Sequence, residues 1–289
     1  MASIQRSEQV DRGDTAVNQA KVNGIELAYE DAGTGEPAIF IHGAFIAGAF
    51  QPMLSAASLR DRYRLIHYHR RGYGRSSRVA GPITVSEQAA DCLALLRHLE
   101  LERVHIVGHS YGGAIALQLA MDVPDVVHSL ALLEPALAVG QSGDGYQRSL
   151  QQATERFRKE DREVVLDAFL QARWQGYRDA LERAIPGAFA LAVSDAATSF
   201  EGEFPGLLAW RFGEAEARHI DMPVLAVLGG DSDALWPRFG ETHRFLLEWL
   251  PHAEGFVLPG TTHFLQIQKP HEMAGRLAAF WTEHPLLSI

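Results

Sequence analysis

Short runs of apolar residues punctuate the first half of the chain, and between them apolar residues recur at spacings of three and four. The continuous runs predict buried strands, whereas the three- and four-residue spacing predicts helices with one apolar face. The predicted strands of this half cover residues 25–29, 38–41, 64–68, 104–107 and 129–133, and the clearest helices cover 85–99 and 114–120. Strands that alternate with helices predict an α/β fold with a mostly parallel central sheet covered on both faces.

The pattern changes after residue 136, where helix-like stretches rich in aromatic residues replace the alternation. Strand-like runs resume at 224–228 and 255–258, and an amphipathic helix is predicted over about 270–281. The middle segment is therefore an insertion at the carboxyl ends of the strands, where ligands bind in such sheets. Three parts are expected: a polar N-terminal arm at 1–20, an α/β core at 21–136 and 220–289, and a helical cap, or lid, at 137–219.

The segment Gly108-His109-Ser110-Tyr111-Gly112-Gly113 lies between a predicted strand and a predicted helix. This is the context of a nucleophile elbow, in which a sharp strand-to-helix turn exposes the hydroxyl of a serine. Small residues are needed around such a turn because the strained backbone leaves no room for neighbouring β-carbons. Ser110 is therefore the candidate nucleophile.

A serine hydroxyl needs a base to take its proton, and the base needs an acid that holds its tautomer. His263 is the candidate base because it follows the last predicted strand and gives the chain order nucleophile, acid, base. Two residues compete for the acid, since Asp233 and Glu134 each lie at the end of a predicted strand. Asp233 could instead be a turn or helix-cap residue, and Glu134 a supporting carboxylate. We favour Asp233 slightly and leave Glu134 open.

Acyl transfer also needs two N–H groups that stabilise the developing oxyanion. One candidate is the N–H of Tyr111, directly after the candidate nucleophile, and the other is the N–H of Ala44, in the loop after the strand at 38–41. Gly43 lets the backbone of that loop approach closely. His42 is expected to stabilise the loop rather than to react.

The composition restricts the expected partners. Lys and Arg number 26 against 36 Asp and Glu, and the formal net charge of −10 argues against nucleic acid or an anionic membrane surface. No apolar run is long enough to span a bilayer, and the first 20 residues lack the apolar core of a signal peptide, so we expect a cytoplasmic protein. Cys92 is the single cysteine, and no cluster typical of a metal site is present, so neither a disulfide nor a cofactor is expected. The oligomeric state stays open, and a homo-oligomer is compatible with the sequence.

These segments together resemble the α/β-hydrolase superfamily, in particular its capped serine esterases and lactonases. The resemblance rests on the His42-Gly43 loop, the run Arg71-Gly72-Tyr73-Gly74-Arg75-Ser76, the elbow, the Gly230-x-x-Asp233 turn and the Gly260-x-x-His263 turn. It implies Ser110 as nucleophile, His263 as base and Asp233 as acid, while some branches carry the acid at the position of Glu134. One departure is His69, which stands where such proteins often carry an aspartate. Similar dehalogenases and epoxide hydrolases have aspartate at the position of the serine, which argues against those two chemistries.

The sequence thus predicts hydrolysis of a carboxylic ester or lactone through an acyl-serine intermediate. The aromatic residues of 137–219 indicate an apolar small-molecule substrate, although packing of the cap itself accounts for at least half of them. Alternatives on the same scaffold are carbon–carbon bond hydrolysis and cofactor-free peroxyacid formation. An alternative of a different class is a catalytically silent ligand-binding protein.

Overall fold

Eight strands form one sheet in a computed structural model that describes residues 17–286. Their bounds are Asn18–Val22 (β1), Ile25–Ala32 (β2), Glu36–Ile41 (β3), Tyr63–Tyr68 (β4), Val104–His109 (β5), Val127–Leu133 (β6), Val224–Gly229 (β7) and Ala253–Leu258 (β8). The order across the sheet is β1-β2-β4-β3-β5-β6-β7-β8. The first two pairs, β1 with β2 and β2 with β4, are antiparallel, and every later pair is parallel. The carboxyl ends of six neighbouring strands therefore meet at one edge.

Helices connect the strands and cover both faces of the sheet. Their bounds are Gln51–Leu54 (α1), Ala57–Arg60 (α2), Val85–His98 (α3), Tyr111–Asp122 (α4), Gly143–Lys159 (α5), Arg162–Gln171 (α6), Tyr177–Ala184 (α7), Ala188–Ala197 (α8), Phe204–Ala209 (α9), Glu214–Ala217 (α10), Ser232–Leu235 (α11), Arg238–Trp249 (α12), Leu265–Gln268 (α13) and Pro270–Glu283 (α14). A 3₁₀ turn lies at Pro124–Val126 and a π-helical stretch at Thr198–Glu203. Among the helices of the described chain, none has both the length and the apolar character that crossing a bilayer requires.

Successive side chains of the central strands pack into the cores on opposite faces of the sheet. Because both faces are buried, the sequences of these strands are unbroken apolar runs. In β3, Ile39 and Ile41 pack into the larger core, whereas Ala38 and Phe40 pack into the core on the other face. Burial on both faces fixes the register of the strands, because a slip by one residue would exchange the two sets of side chains. The carboxyl ends of the strands are thereby held in fixed positions.

The predicted fold class and all seven predicted strands are confirmed, each within a few residues of its expected ends. The strand β1 was not predicted, because its sequence NQAKV has only two buried side chains, Ala20 and Val22. Strand β1 overlaps the last residues of the predicted polar arm, whose residues 1–16 lie outside the described part of the chain. The division into a core and a cap at 137–219 stays a prediction.

Helices α5 to α10 lie between β6 and β7, and we call residues 137–219 the helical segment. Its phenylalanines pack on one another and on Phe45, which belongs to the loop after β3. Ring centroids of Phe200 lie 4.5 Å from Phe157, 5.0 Å from Phe45 and 5.4 Å from Phe204. These aromatic residues pack the helical segment on itself and on the loop after β3.

Candidate active site

Ser110 stands between β5 and α4 with a strained backbone, at φ 52° and ψ −116°. A β-carbon at Gly112 would lie 2.0 Å from the carbonyl oxygen of Ile41, and one at Gly108 would lie 2.5 Å from that of Gly112. Only glycine fits at these two positions, because real β-carbons do not approach oxygen so closely. The turn has the form of the predicted nucleophile elbow.

His263 lies in the loop between β8 and α13, and its ring contacts the serine. The Nε2 atom of His263 is 2.9 Å from Oγ of Ser110, and its Nδ1 atom is 2.7 Å from Oε2 of Glu134. With the proton on Nδ1, the ring donates to the carboxylate and accepts from the serine hydroxyl. A further hydrogen bond joins Nε2 of His109 to the carbonyl oxygen of His263 at 2.7 Å. The loop that carries His263 is thus hydrogen-bonded to His109, the residue before the serine.

Glu134 directly follows β6 and has a positive φ of 44°. Its side chain is buried, with Oε1 accepting a hydrogen bond of 2.7 Å from the N–H of Gly229 at the end of β7. Both carboxylate oxygens therefore have partners, one from the neighbouring strand and one from His263. The structure brings Ser110, His263 and Glu134 into one chain of hydrogen bonds.

Asp233, the acid that the sequence slightly favoured, is placed elsewhere. It lies in the short helix α11, where its Oδ1 accepts a hydrogen bond of 3.2 Å from the N–H of Gly240, and it is exposed. It forms no hydrogen bond with His263. This geometry favours Glu134 over Asp233 as the acid, because the turn after β7 directs the Asp233 side chain toward the start of α12 while β6 ends beside the serine. The role of either residue stays a prediction. The contact with Gly240 agrees with the alternative considered for Asp233, that of a turn or helix-cap residue.

Burial governs the ionisation of the two groups beside the serine. Burial lowers the pKa of His263 well below its usual value, and the positive charges of Arg238 and Arg173 lower it further. Burial raises the pKa of Glu134, against the opposing effect of the N–H of Gly229. The imidazole is therefore neutral at neutral pH, in the state that can accept a proton.

The two expected oxyanion donors lie beside the serine. Tyr111 is the first residue of α4, where N–H groups lack partners within the helix, and it lines the same cleft as Ala44, Ser110 and His263. A β-carbon at Gly43 would lie 3.1 Å from Cβ of Ser110, so glycine lets the loop after β3 approach the elbow. This placement agrees with the expected donors, whose role stays a prediction.

Arg70 supports the loop that carries Ala44. Its guanidinium donates to the carbonyl oxygens of His42 at 3.0 Å and Gly43 at 2.9 Å, and it forms a buried ion pair with Glu203 of the helical segment. Gln88 also donates to Glu203, at 2.9 Å. His42 accepts a hydrogen bond of 3.1 Å from the N–H of Arg70, which agrees with its expected role in stabilising the loop. Sequence reasoning missed Arg70 and Glu203, because 133 residues separate them.

Two further arginines line the cleft, and sequence reasoning missed both. Arg173 follows α6 and Arg238 begins α12, and both lie among the residues around Ser110 and His263. The cleft holds about 430 Å³ of empty space, counting its opening to solvent. A signal existed for Arg238, since it closely follows the end of β7, at the sheet edge where ligands bind.

One group of potential metal ligands occurs in the described chain, at Glu254, Glu283 and His284. These residues lie at the start of β8 and the end of α14, away from the carboxyl edge that carries Ser110. They therefore take no part in the chemistry of the cleft.

Comparisons with known proteins agree with this architecture. A 2-hydroxymuconate semialdehyde hydrolase of Pseudomonas putida is 27% identical over 277 residues, covering 90% of this chain and 92% of the relative. A thermophilic esterase from Thermogutta terrifontis superposes with a TM-score of 0.79 at 21% identity, over 93% of this chain and 99% of the other. The enol-lactonase from Burkholderia xenovorans LB400 superposes with a TM-score of 0.77 at 22% identity, over 92% and 100%. At such identities the two structures show the shared fold alone. The model of the alpha/beta hydrolase fold family matches residues 37–270, and the chain belongs to that family.

Proposed function

We propose that the protein is a serine hydrolase that cleaves a carboxylic ester or lactone of a small molecule through an acyl-serine intermediate. The observation that carries this proposal is the unbroken line of hydrogen bonds from Ser110 through His263 to Glu134, at 2.9 Å and 2.7 Å. A neutral imidazole at this distance can take the hydroxyl proton as the oxygen attacks.

In the first half of the reaction, Oγ of Ser110 forms a bond to the substrate carbonyl carbon while its proton passes to Nε2 of His263. The N–H groups of Ala44 and Tyr111 stabilise the oxyanion, and each such donor contributes about 10²- to 10³-fold in rate. The carbon–oxygen bond to the leaving alcohol then breaks, and His263 returns the proton to that oxygen. Water repeats the sequence on the acyl-serine and releases the acid.

Glu134 acts in this scheme by holding the tautomer of His263 and stabilising the imidazolium. Its second oxygen is fixed by the N–H of Gly229, so the carboxylate is oriented before the substrate binds. The aromatic side chains Phe45, Phe169 and Phe264 around the cleft support a substrate with apolar parts.

The test compares two amide substitutions with 4-nitrophenyl acetate as substrate. Glu134→Gln is expected to lower kcat by about 10⁴-fold, as a wrongly held tautomer does, whereas Asp233→Asn should retain nearly the full rate. A fluorophosphonate should label Ser110 in the parent and nothing in Ser110→Ala. An inactive Asp233→Asn beside an active Glu134→Gln would contradict the assignment of the acid, and absence of both turnover and label would contradict the proposed function.

A further inference from the structure

Arg238 is a buried cation that forms no ion pair within the described chain. Its side chain is 3% exposed, and its Nε and Nη1 atoms are buried with no hydrogen-bond acceptor. The guanidinium lies 4.0 Å from the ring centre of Tyr146 and 4.4 Å from that of Phe239. Such stacking uses the flat face of the guanidinium and leaves the N–H donors at its edge unsatisfied.

Arg173 lies in the same cleft and is 8% exposed. One of its nitrogens donates to the carbonyl oxygen of Phe169 at 2.7 Å, and its guanidinium lies 3.4 Å from the centre of that ring. Burial lowers the pKa of Arg173 to about 9, and the positive charge of Arg238 contributes to the lowering. An arginine side chain stays protonated in proteins, so the two guanidinium groups are positively charged and repel each other.

No carboxylate of residues 17–286 lies within ion-pair distance of either guanidinium. Glu134 is near enough to attract Arg238 electrostatically, but its two oxygens are bonded to His263 and Gly229. Buried charges in proteins are ordinarily paired, because removing an unpaired charge from water costs several kcal/mol. Two unpaired guanidinium groups in one cleft therefore indicate that the ligand supplies the negative charge.

We propose that Arg173 and Arg238 form a carboxylate-binding subsite, so that the ester or lactone cleaved in this cleft carries a free carboxylate. This inference rests on the proposed function for the nature of the reaction and on the two arginines for the charge of the substrate. The planar edge of a guanidinium matches a carboxylate in geometry, and an anion between the two side chains relieves their mutual repulsion. The expected apolar small-molecule substrate is accordingly narrowed to an apolar molecule with one acidic group.

The binding experiment needs no turnover. The Ser110→Ala protein is titrated by calorimetry with monophenyl adipate and with the same ester whose acid is a primary amide, so that the two probes differ in charge and hardly in shape. The acid is expected to bind about ten- to a hundredfold more tightly, as hydrogen bonds to a charged group imply. Equal binding of the two probes, or no binding of either, would overturn the carboxylate subsite.

The arginine variants locate the effect. Adding Arg238→Met to Ser110→Ala should abolish the preference for the acid, whereas Arg244→Met, an exposed arginine on the same helix, should leave it unchanged. Turnover of both probes by the parent tests the reaction separately. A preference in binding without any cleavage would contradict the proposed hydrolase and leave the subsite supported, whereas cleavage without any preference would do the reverse.

Discussion

Two buried arginines of this protein, Arg70 and Arg238, lie in opposite electrostatic situations. Burial alone would lower the pKa of Arg70, but Glu203 and neighbouring tyrosines outweigh it and raise the pKa. For Arg238, burial dominates and the net pKa is lowered. Arg70 has an ion pair and carbonyl acceptors, whereas Arg238 has aromatic rings and no acceptor at two of its nitrogens.

The difference separates a structural cation from one that serves a ligand. A charge whose donors are all satisfied inside the chain stabilises the fold only as long as its partner is present. A buried charge that lines a cleft and has no ion-pair partner in the described chain lowers the stability of the empty protein and is retained where binding requires it. Two equally buried arginines thus differ in role: Arg70 stabilises the fold, and Arg238 is the one proposed to bind the ligand.

Removing the negative charge that pairs with Arg70 should give the largest loss of stability. Glu203→Gln leaves Arg70 as an uncompensated buried charge, and we expect the free energy of unfolding in urea to fall by about 3–5 kcal/mol. Glu201→Gln, on the same π-helical stretch, is the matched control, because Glu201 is half-exposed and only 3.9 Å from Arg158 at its nearest approach. The control should change stability by less than about 0.5 kcal/mol. Equal effects of the two substitutions would remove the distinction between the paired and the unpaired arginine.

At Arg238, which has no ion-pair partner in the described chain, the change in stability is expected to have the opposite sign. Arg238→Met removes an uncompensated charge and keeps contact with the rings through a flexible apolar side chain, so stability should stay constant or rise by about 0.5–2 kcal/mol. The same urea measurement checks this, with Arg70→Met as the comparison that should lose stability. If Arg238→Met lowers stability as much as Arg70→Met does, the guanidinium of Arg238 has a structural role. That result would contradict its proposed role in binding.

The smallest effect concerns pH. Protonation of His263 removes the base, so kcat/KM for a neutral aryl ester falls as pH decreases through the pKa of His263. Arg238 helps to lower this pKa, and therefore Arg238→Met should raise it and move the acidic limb of the profile toward neutral pH. Arg244→Met, on the same helix but exposed, should leave the limb where it is. If the acidic limb of the pH profile does not move in Arg238→Met, the charge of Arg238 has no measurable effect on the pKa of His263.

The strands and the elbow could be predicted because their signals are local. Apolar runs mark buried strands wherever they lie, and the glycines around Ser110 are required by the turn itself. The acid could not be assigned in the same way, since Glu134 and Asp233 both follow strands. The choice depends on which turn directs its carboxylate inward, and the positive φ of Glu134 has no signature in the sequence.

The charged residues of the interior were missed for a related reason. A sequence reveals that an arginine is present but not whether it has a partner, since the partner of Arg70 lies 133 residues away. Arg173 belongs to the helical segment and Arg238 begins α12 after β7, so the two meet only in the folded cleft. Their common feature, the lack of an ion-pair partner among residues 17–286, is a property of three-dimensional packing alone.

Glu203 has a practical consequence for anyone who wishes to build chimeras of this family. It belongs to the helical segment, yet its partner Arg70 holds the carbonyl groups of the loop after β3. Exchanging residues 137–219 for those of another hydrolase would remove Glu203 and leave Arg70 as a buried cation without its ion-pair partner beside that loop. A working transplant has to carry an acid at the position of Glu203, or neutralise Arg70 in the recipient at the same time.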